Sequence, residues 1–201
     1  MENFIINDEI LQSEELPSFS LTIEETHVTV IYSDTDMQAK LVDSLRNNGK
    51  ITVIDQQEGL YERLTVEENI KFFHKWFACP TPLPEILVFF ELHSCAKKDL
   101  HKCSDSEIRR IHFAKYYMSG DQQMIFQEPI QSVDITTMNT FIKILQKFKG
   151  NNIPVLILVS NMEHALLLGD IAYKLQENGI QKIEIDRNKF PKRKVPTKHS
   201  L

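Results

Sequence analysis

QQMIFQEPIQSVD, Gln122 to Asp134, decides how this chain is read. Met124, Ile125 and Phe126 read as a short buried strand. Gln127, Glu128 and Pro129 follow, so an amide and then a carboxylate stand at the strand's end. Upstream, Ser104-Asp105-Ser106-Glu107 is a capping box, in which the Ser104 hydroxyl holds the Glu107 amide and the Glu107 side chain reaches back. The helix it opens is expected to run to about Met118. Downstream come a helix around Thr137 to Phe148, a strand Val155 to Val159 and a short helix Glu163 to Leu168. A hairpin, Ile171 to Gln176 and Ile180 to Ile185, is turned at Asn178-Gly179.

Toward the N-terminus, Asn3 to Ile6, Ser18 to Ile23 and His27 to Ile31 read as strands. Thr35 to Asn47 reads as a helix with Met37, Leu41 and Leu45 on one face, and Gly49 stands where its stop is expected. Ile51 to Ile54 is a further strand. Thr65 to Phe77 is helical, and Pro80, Pro82 and Pro84 break the pattern before a helix around Glu85 to His93. The order is a β-rich start, an α/β core, an all-helical insert over about 65–118, and α/β again, without an internal repeat.

The 201 residues suffice for one sizeable domain or two small ones. A hydrophobic content of 42% and charged content of 25% are those of a soluble globular protein. A net charge of −5 gives no global bias toward nucleic acid or lipid. Cys79, Cys95 and Cys103 are an odd number without CxxC spacing, which fits a reducing compartment. No apolar run reaches the roughly 18 residues of a membrane span, and MENFIINDEI is not a signal peptide, so a cytoplasmic location is expected. Residues 187–201, RNKFPKRKVPTKHSL, change composition. Crowded lysines and arginines among prolines suit a solvated linker or the approach to a nucleic-acid-binding module.

Over about Phe4 to Ile185 this order of pieces resembles the ATP-binding domain of ABC proteins. The motif Leu64-Thr65-Val66-Glu67-Glu68-Asn69 is similar to the segment that opens the family's helical subdomain. Gln57 falls on the position of its metal-contacting loop glutamine, and Ser104 to Arg110 with Ala114 on its signature sequence and helix. Glu128-Pro129 matches the glutamate and proline after Walker B, Ser132-Val133-Asp134 the D-loop, and Val159-Ser160-Asn161 the switch-histidine segment. The resemblance implies an α/β fold, an ABC ATPase-like (P-loop NTPase-like) core with an antiparallel β subdomain and a helical insert. The implied domain covers 1–186, with 187–201 as a linker or the start of another module.

Against that family the phosphate loop reads Tyr32-Ser33-Asp34-Thr35-Asp36-Met37-Gln38-Ala39-Lys40. A phosphate cradle needs glycines for positive φ and close backbone approach, and none precedes Gly49. Gln38 stands at the lysine, Ala39 at the magnesium-binding hydroxyl, Gln127 at the magnesium-linked aspartate and Asn161 at the switch histidine. Asp105 and Ser106 replace signature glycines. Asp34 and Asp36 add repulsion, and Lys40 points about 200° away from Gln38 around a helix. Micromolar nucleotide affinity is about −8 kcal/mol. Lost charge-assisted bonds at roughly 1.5–3 kcal/mol each remove at least ~5 kcal/mol.

This reasoning expects no enzyme, no ATP or magnesium, and no catalytic residues, with Gln38, Ala39, Gln57, Ser104, Gln127, Glu128, Asp134 and Asn161 as vestiges. The function it expects is an inactive cassette serving as a regulatory, dimerisation or partner-binding module. Its partner would be another protein or a second copy. Lys194-Val195-Pro196-Thr197-Lys198 is similar to the start of a LytTR domain, which would make the chain part of a DNA-binding transcription regulator reading DNA beyond Leu201. The alternative is a noncanonical ATP-binding subunit of an ABC transporter, paired with an active cassette and a membrane subunit and using ATP and magnesium. His93-Ser94-Cys95 and His101-Lys102-Cys103 could supply a zinc site only on loops or strands, since residues two apart diverge on a helix, and no metal is expected. Phe72, Phe73, Trp76 and Phe77 at helical spacing are expected in the core, or in part on a surface docking to membrane subunits. Phe89 and Phe90 allow the same readings.

Overall fold

The computed structural model describes residues 4–11, 13–47, 53–54, 59–120, 123–186 and 188. In chain order the elements are β1 (Phe4–Ile6), α1 (Asp8–Leu11), β2 (Leu21–Ile23), β3 (Val28–Tyr32), α2 (Thr35–Asn47), β4 (Val53–Ile54), α3 (Val66–Trp76) and α4 (Leu83–Phe89). They continue with α5 (Asp105–Ser119), β5 (Met124–Gln127), α6 (Ile135–Gly150), β6 (Val155–Val159), α7 (Met162–Leu168), β7 (Ile171–Gln176) and β8 (Gly179–Ile183). Short 3-10 turns at His93–Cys95 and Leu100–Lys102 join α4 to α5. Among the described residues no helix is long and apolar enough to cross a bilayer. The chain divides into two compact units, one of residues 1–54, 123–128 and 145–201, the other of 55–122 and 129–144.

The first unit is built on a six-stranded sheet of order β4-β5-β6-β3-β7-β8. The pairs β4–β5, β5–β6, β6–β3 and β3–β7 are parallel, and β7–β8 is an antiparallel hairpin. Strands covered on both faces carry unbroken apolar runs, and all five residues of β6, Val-Leu-Ile-Leu-Val, are buried. In the hairpin Gln176 faces Gly179, so Glu177 and Asn178 form the loop, one residue earlier than the sequence suggests. A separate antiparallel pair, β1 with β2, adds Phe4, Ile6, Leu21 and Ile23 to a core that α2 closes with Met37, Leu41 and Leu45. The helix α1 escapes the sequence reading, because four residues are too few to show a period.

The second unit is helical. Ser104 and Glu107 cap α5 reciprocally, as the sequence predicts, and Thr65 and Glu68 do the same for α3. Asn69 explains the end of its motif. Its fully buried amide donates to the carbonyls of Tyr61 and Thr65, at 3.0 Å each, and accepts from the Tyr61 amide at 2.8 Å, so it pins the loop entering α3. Pro84 lies inside the first turn of α4 rather than before it, where a missing N–H costs nothing. Phe73, Phe90, Ile111, Phe113 and Phe141 are buried, and the rings of Phe113 and Phe141 meet at 4.9 Å. Trp76 departs from the expected core. It is 72% exposed and stacks on Phe72 at 5.9 Å, because α3 offers the core only the face holding Val66, Ile70 and Phe73.

Candidate functional site

The parallel sheet decides where a site can form. β3 sends the chain through α2 toward β4 on one side, whereas β6 sends it through α7 to β7 on the other side of β3. Neighbouring strands that part in opposite directions leave a crevice outside their C-terminal ends, where α/β sheets of this kind bind ligands. Gln38 on the first turn of α2, Glu128 just past β5 and Ser160 just past β6 meet there.

Gln38 Nε2 donates to Glu128 Oε1 at 3.0 Å, and the Ser160 amide donates to the same oxygen at 2.5 Å. Gln38 and Glu128 are 4% and 7% exposed, so the carboxylate has exchanged water for these donors. Glu128 also carries φ +44°, a left-handed backbone rare for a residue with a side chain. Its amide, donating to Leu158 O at 2.9 Å, holds it in place. Sequence reasoning places Gln38 at the start of a helix and Glu128 at a strand end. It misses their pairing, and it misses the Ser160 amide, whose part depends on backbone direction alone.

The start of α2 is capped from within. Asp34 Oδ1 accepts from the Met37 amide at 2.8 Å. Ala39 faces solvent and offers no oxygen. Lys40 turns away, as expected, with Nζ 2.9 Å from Asp36 and 4.0 Å from Glu15, and the bond to Asp36 raises its pKa. Gln127 closes β5 half-buried. Exposed Asn161 caps α7 by accepting from the Glu163 amide at 2.7 Å. Gln57, Gly49 and residues 187 and 189–201 lie outside the described residues.

The second unit gathers the other predicted positions. Ser104 is the exposed cap of α5. One turn on, Ser106 Oγ accepts from the Asp134 amide at 2.9 Å, and Asp134 Oδ1 accepts from the Thr137 amide at 2.7 Å, capping α6. Arg110, buried, donates to Thr137 Oγ1 at 2.7 Å and lies 3.6 Å from Asp134 Oδ2. Burial works against the charge of Asp134, but the Thr137 amide and hydroxyl, Arg110 and Ser106 hold its pKa below the ordinary value. The sequence names Ser104 to Arg110 and Asp134 but not Thr137, which joins them.

The H-x-C pairs sit in the 3-10 turns and the loop after them. Cys95 is buried with Sγ donating to Leu92 O at 3.4 Å, and Cys103 Sγ donates to Asp99 O at 3.6 Å. Among the described residues no cluster of three or more His, Cys, Asp or Glu could hold a metal ion.

No family model matches the chain. It is similar to the dimeric ATP-binding cassette MJ0796 in a post-hydrolysis state with ADP and Pi, at TM-score 0.68 and 15% identity over 86% of this chain and 91% of that one. A nucleotide-free ATP-binding cassette from an ABC transporter matches at TM-score 0.68 and 15% identity, over 92% of this chain and 93% of that one. So does cbiO1 of Clostridium perfringens, part of the transporter complex cbiONQ, at 0.68 and 14%, over 90% and 88%. The chain therefore has the α/β fold of an ABC ATP-binding cassette. In sequence it is 25% identical over 126 residues to the linearmycin resistance ATP-binding protein LnrL of Bacillus subtilis (strain 168), a match covering 60% of this chain and 40% of that protein.

These likenesses overturn two expectations. A chain that is no enzyme, and that takes neither ATP nor magnesium, does not follow when its fold is that of ATP-binding cassettes, one of them holding hydrolysis products, and its curated relative is an ATP-binding protein. The expectation rested on family residues missing from the phosphate loop, the signature segment, the end of β5 and the switch position, and a missing residue does not say what the remaining groups do. The named neighbours also give the regulator reading, with its LytTR module and DNA partner, no support. The loop's side chains still do not fit a magnesium triphosphate in the manner of a lysine and a hydroxyl. Asp34 already takes the helix amide, Gln38 is neutral and engaged, and Ala39 has no ligand atom.

Proposed function

We propose that the chain is the ATP-binding subunit of an ABC transporter, working on the cytoplasmic side as one of a pair of cassettes joined to membrane subunits. The observation that carries this reading is Glu128: a buried carboxylate with left-handed backbone, at the crevice where the strands part. Strain of this kind persists where surrounding structure over-determines it, and it collects at functional sites. The cassette folds that the chain resembles support the same reading.

Glu128 orients what lies at the crevice, and Asn161 and Ser160 form the adjoining turn. Because the start of α2 does not grip a triphosphate by charge, pairing is part of the reading. Ser104 and Ser106, exposed and half-exposed at the start of α5, form the face offered to a partner cassette's nucleotide. Bound ATP and magnesium would supply the free energy of phosphoryl transfer.

Calorimetry with magnesium and ATP tests the reading, first on the chain alone and then on the chain joined to its partner cassette. Binding tighter than about 1 mM, or roughly −4 kcal/mol, is expected in the pair. Hydrolysis by the pair should fall when Glu128 becomes Gln. An assembled pair that neither binds nor hydrolyses ATP would refute the reading.

A further inference from the structure

We propose that the cavity between α1 and α2 is a binding site in its own right, for a small alkylamine: Asp43 and Glu15 hold its protonated amine, and Ile10 and Leu11 receive its hydrocarbon stem. The site lies wholly within the first unit and needs neither a nucleotide nor a partner cassette.

Lys40, Asp43 and Asn47 recur three or four residues apart, so they share one stripe along α2. Ile10 and Leu11 at the end of α1, and Glu15 beyond it, stand across from that stripe. The space between is about 300 Å³, at the small end of ligand cavities. Its inner wall is apolar and its hydrogen bonds are already made: Leu11 is buried, Ile10 packs on the core, and the buried Ser44 hydroxyl donates to the Leu11 carbonyl. Charge gathers at the outer edge instead, where Glu15 and Asp43 are exposed. Asn47 ends α2, where the helix dipole is negative. Lys40, the cation among the described lining residues, is already answered, with Nζ 2.9 Å from Asp36 and 4.0 Å from Glu15. Two carboxylates against one neutralised ammonium attract a cation and repel a phosphate. A divalent metal fits poorly, because it wants more oxygen ligands than this pair offers, and no group of three or more His, Cys, Asp or Glu forms among the described residues. An alkylamine meets both walls: its ammonium carries three donors for the carboxylates, and its methylenes cover Ile10 and Leu11.

Calorimetry on the full chain at low ionic strength tests this with putrescine, with 1,4-butanediol as its uncharged equivalent, and with magnesium chloride. Putrescine should bind with a Kd of about 1 mM or tighter, and the diol and magnesium at least about ten-fold more weakly. Asp43→Asn should weaken putrescine about ten-fold, and its exposed position leaves the fold intact, which circular dichroism checks. Lys40→Met releases Glu15 and should tighten putrescine about three-fold. Glu62→Gln removes an equal charge from an exposed position on the second unit and should change nothing. No putrescine binding up to about 10 mM overturns the site, as does binding matched by the diol or by magnesium. Equal weakening by Asp43→Asn and Glu62→Gln would also overturn it, reducing the effect to attraction by net charge. So would weaker binding by Lys40→Met, since the lysine rather than the carboxylates would then anchor the ligand.

Discussion

Replacing Asp134 by alanine separates two contributions at the start of α6. Oδ1 accepts from the Thr137 amide at 2.7 Å, so the side chain is an N-cap. Oδ2 lies 3.6 Å from Arg110 Nη1, and the two side chains are 51% and 7% exposed. Losing a side-chain cap costs about 1 kcal/mol. A buried guanidinium that loses its carboxylate neighbour costs roughly 1–2 kcal/mol more, kept low because the carboxylate is half in water. Asp134→Ala should therefore destabilise by about 2–3 kcal/mol, which lowers Tm by roughly 4–12 °C in a chain of this size. Asp134→Asn keeps an oxygen for Thr137 and removes only the charge, so it should cost about half as much. Urea unfolding followed by far-ultraviolet circular dichroism measures both. An Asp134→Ala protein within about 0.5 kcal/mol of wild type would refute the reasoning. So would an asparagine variant as damaged as the alanine one, since the cap would then contribute nothing.

Phe141, fully buried against Phe113, should lose about 3–5 kcal/mol on truncation to alanine, whereas Trp76→Ser on the exposed face of α3 should change stability by less than about 0.5 kcal/mol. Equal losses in urea would show the faces of the helical unit misassigned. Asp134 and Glu107 are ionised below their ordinary values of 3.8 and 4.5, burial being outweighed by the Thr137 amide and Arg110 for one and by Lys98 and the Ser104 amide for the other. As pH falls the unfolded chain takes up these protons first. The stability they contribute is thus complete above the ordinary values and is lost as pH drops through the folded ones, and Asp134→Asn should flatten an acid titration followed by circular dichroism. Burial first, and then Glu107 and Cys95, push the Cys103 thiol up to about 11. At pH 8 it should alkylate about a hundred-fold more slowly than an ordinary thiol, and mass spectrometry showing a free-thiol rate would contradict that environment.

How far the sequence could be read depended on whether a feature was local. The bounds of α2 and β6, and the capping box of α5, were legible because period, apolar runs and side-chain reach act over a few residues. The exposed Trp76 was not. A helical stripe shows which residues share a face, and it does not show how wide the covering core is. In the site, Gln38 could be assigned to the start of a helix and Glu128 to a strand end, but they lie 90 residues apart, and nothing local says that the amide answers the carboxylate. The left-handed φ of Glu128 left no glycine to signal it. Missing glycines describe what a loop cannot do. They are silent on what the remaining side chains do in its place, and there the inference to a non-enzyme overreached.

Trp76 is the chain's sole tryptophan, and it stands in water beside Phe72 rather than in the interior. Its emission should therefore change little between native and denatured protein, and a melting curve recorded at that wavelength would make a cooperative transition look faint. The same indole is well placed as an optical probe of the opposite event. Anything that settles on that face of α3 would shift its spectrum to the blue, with no label attached.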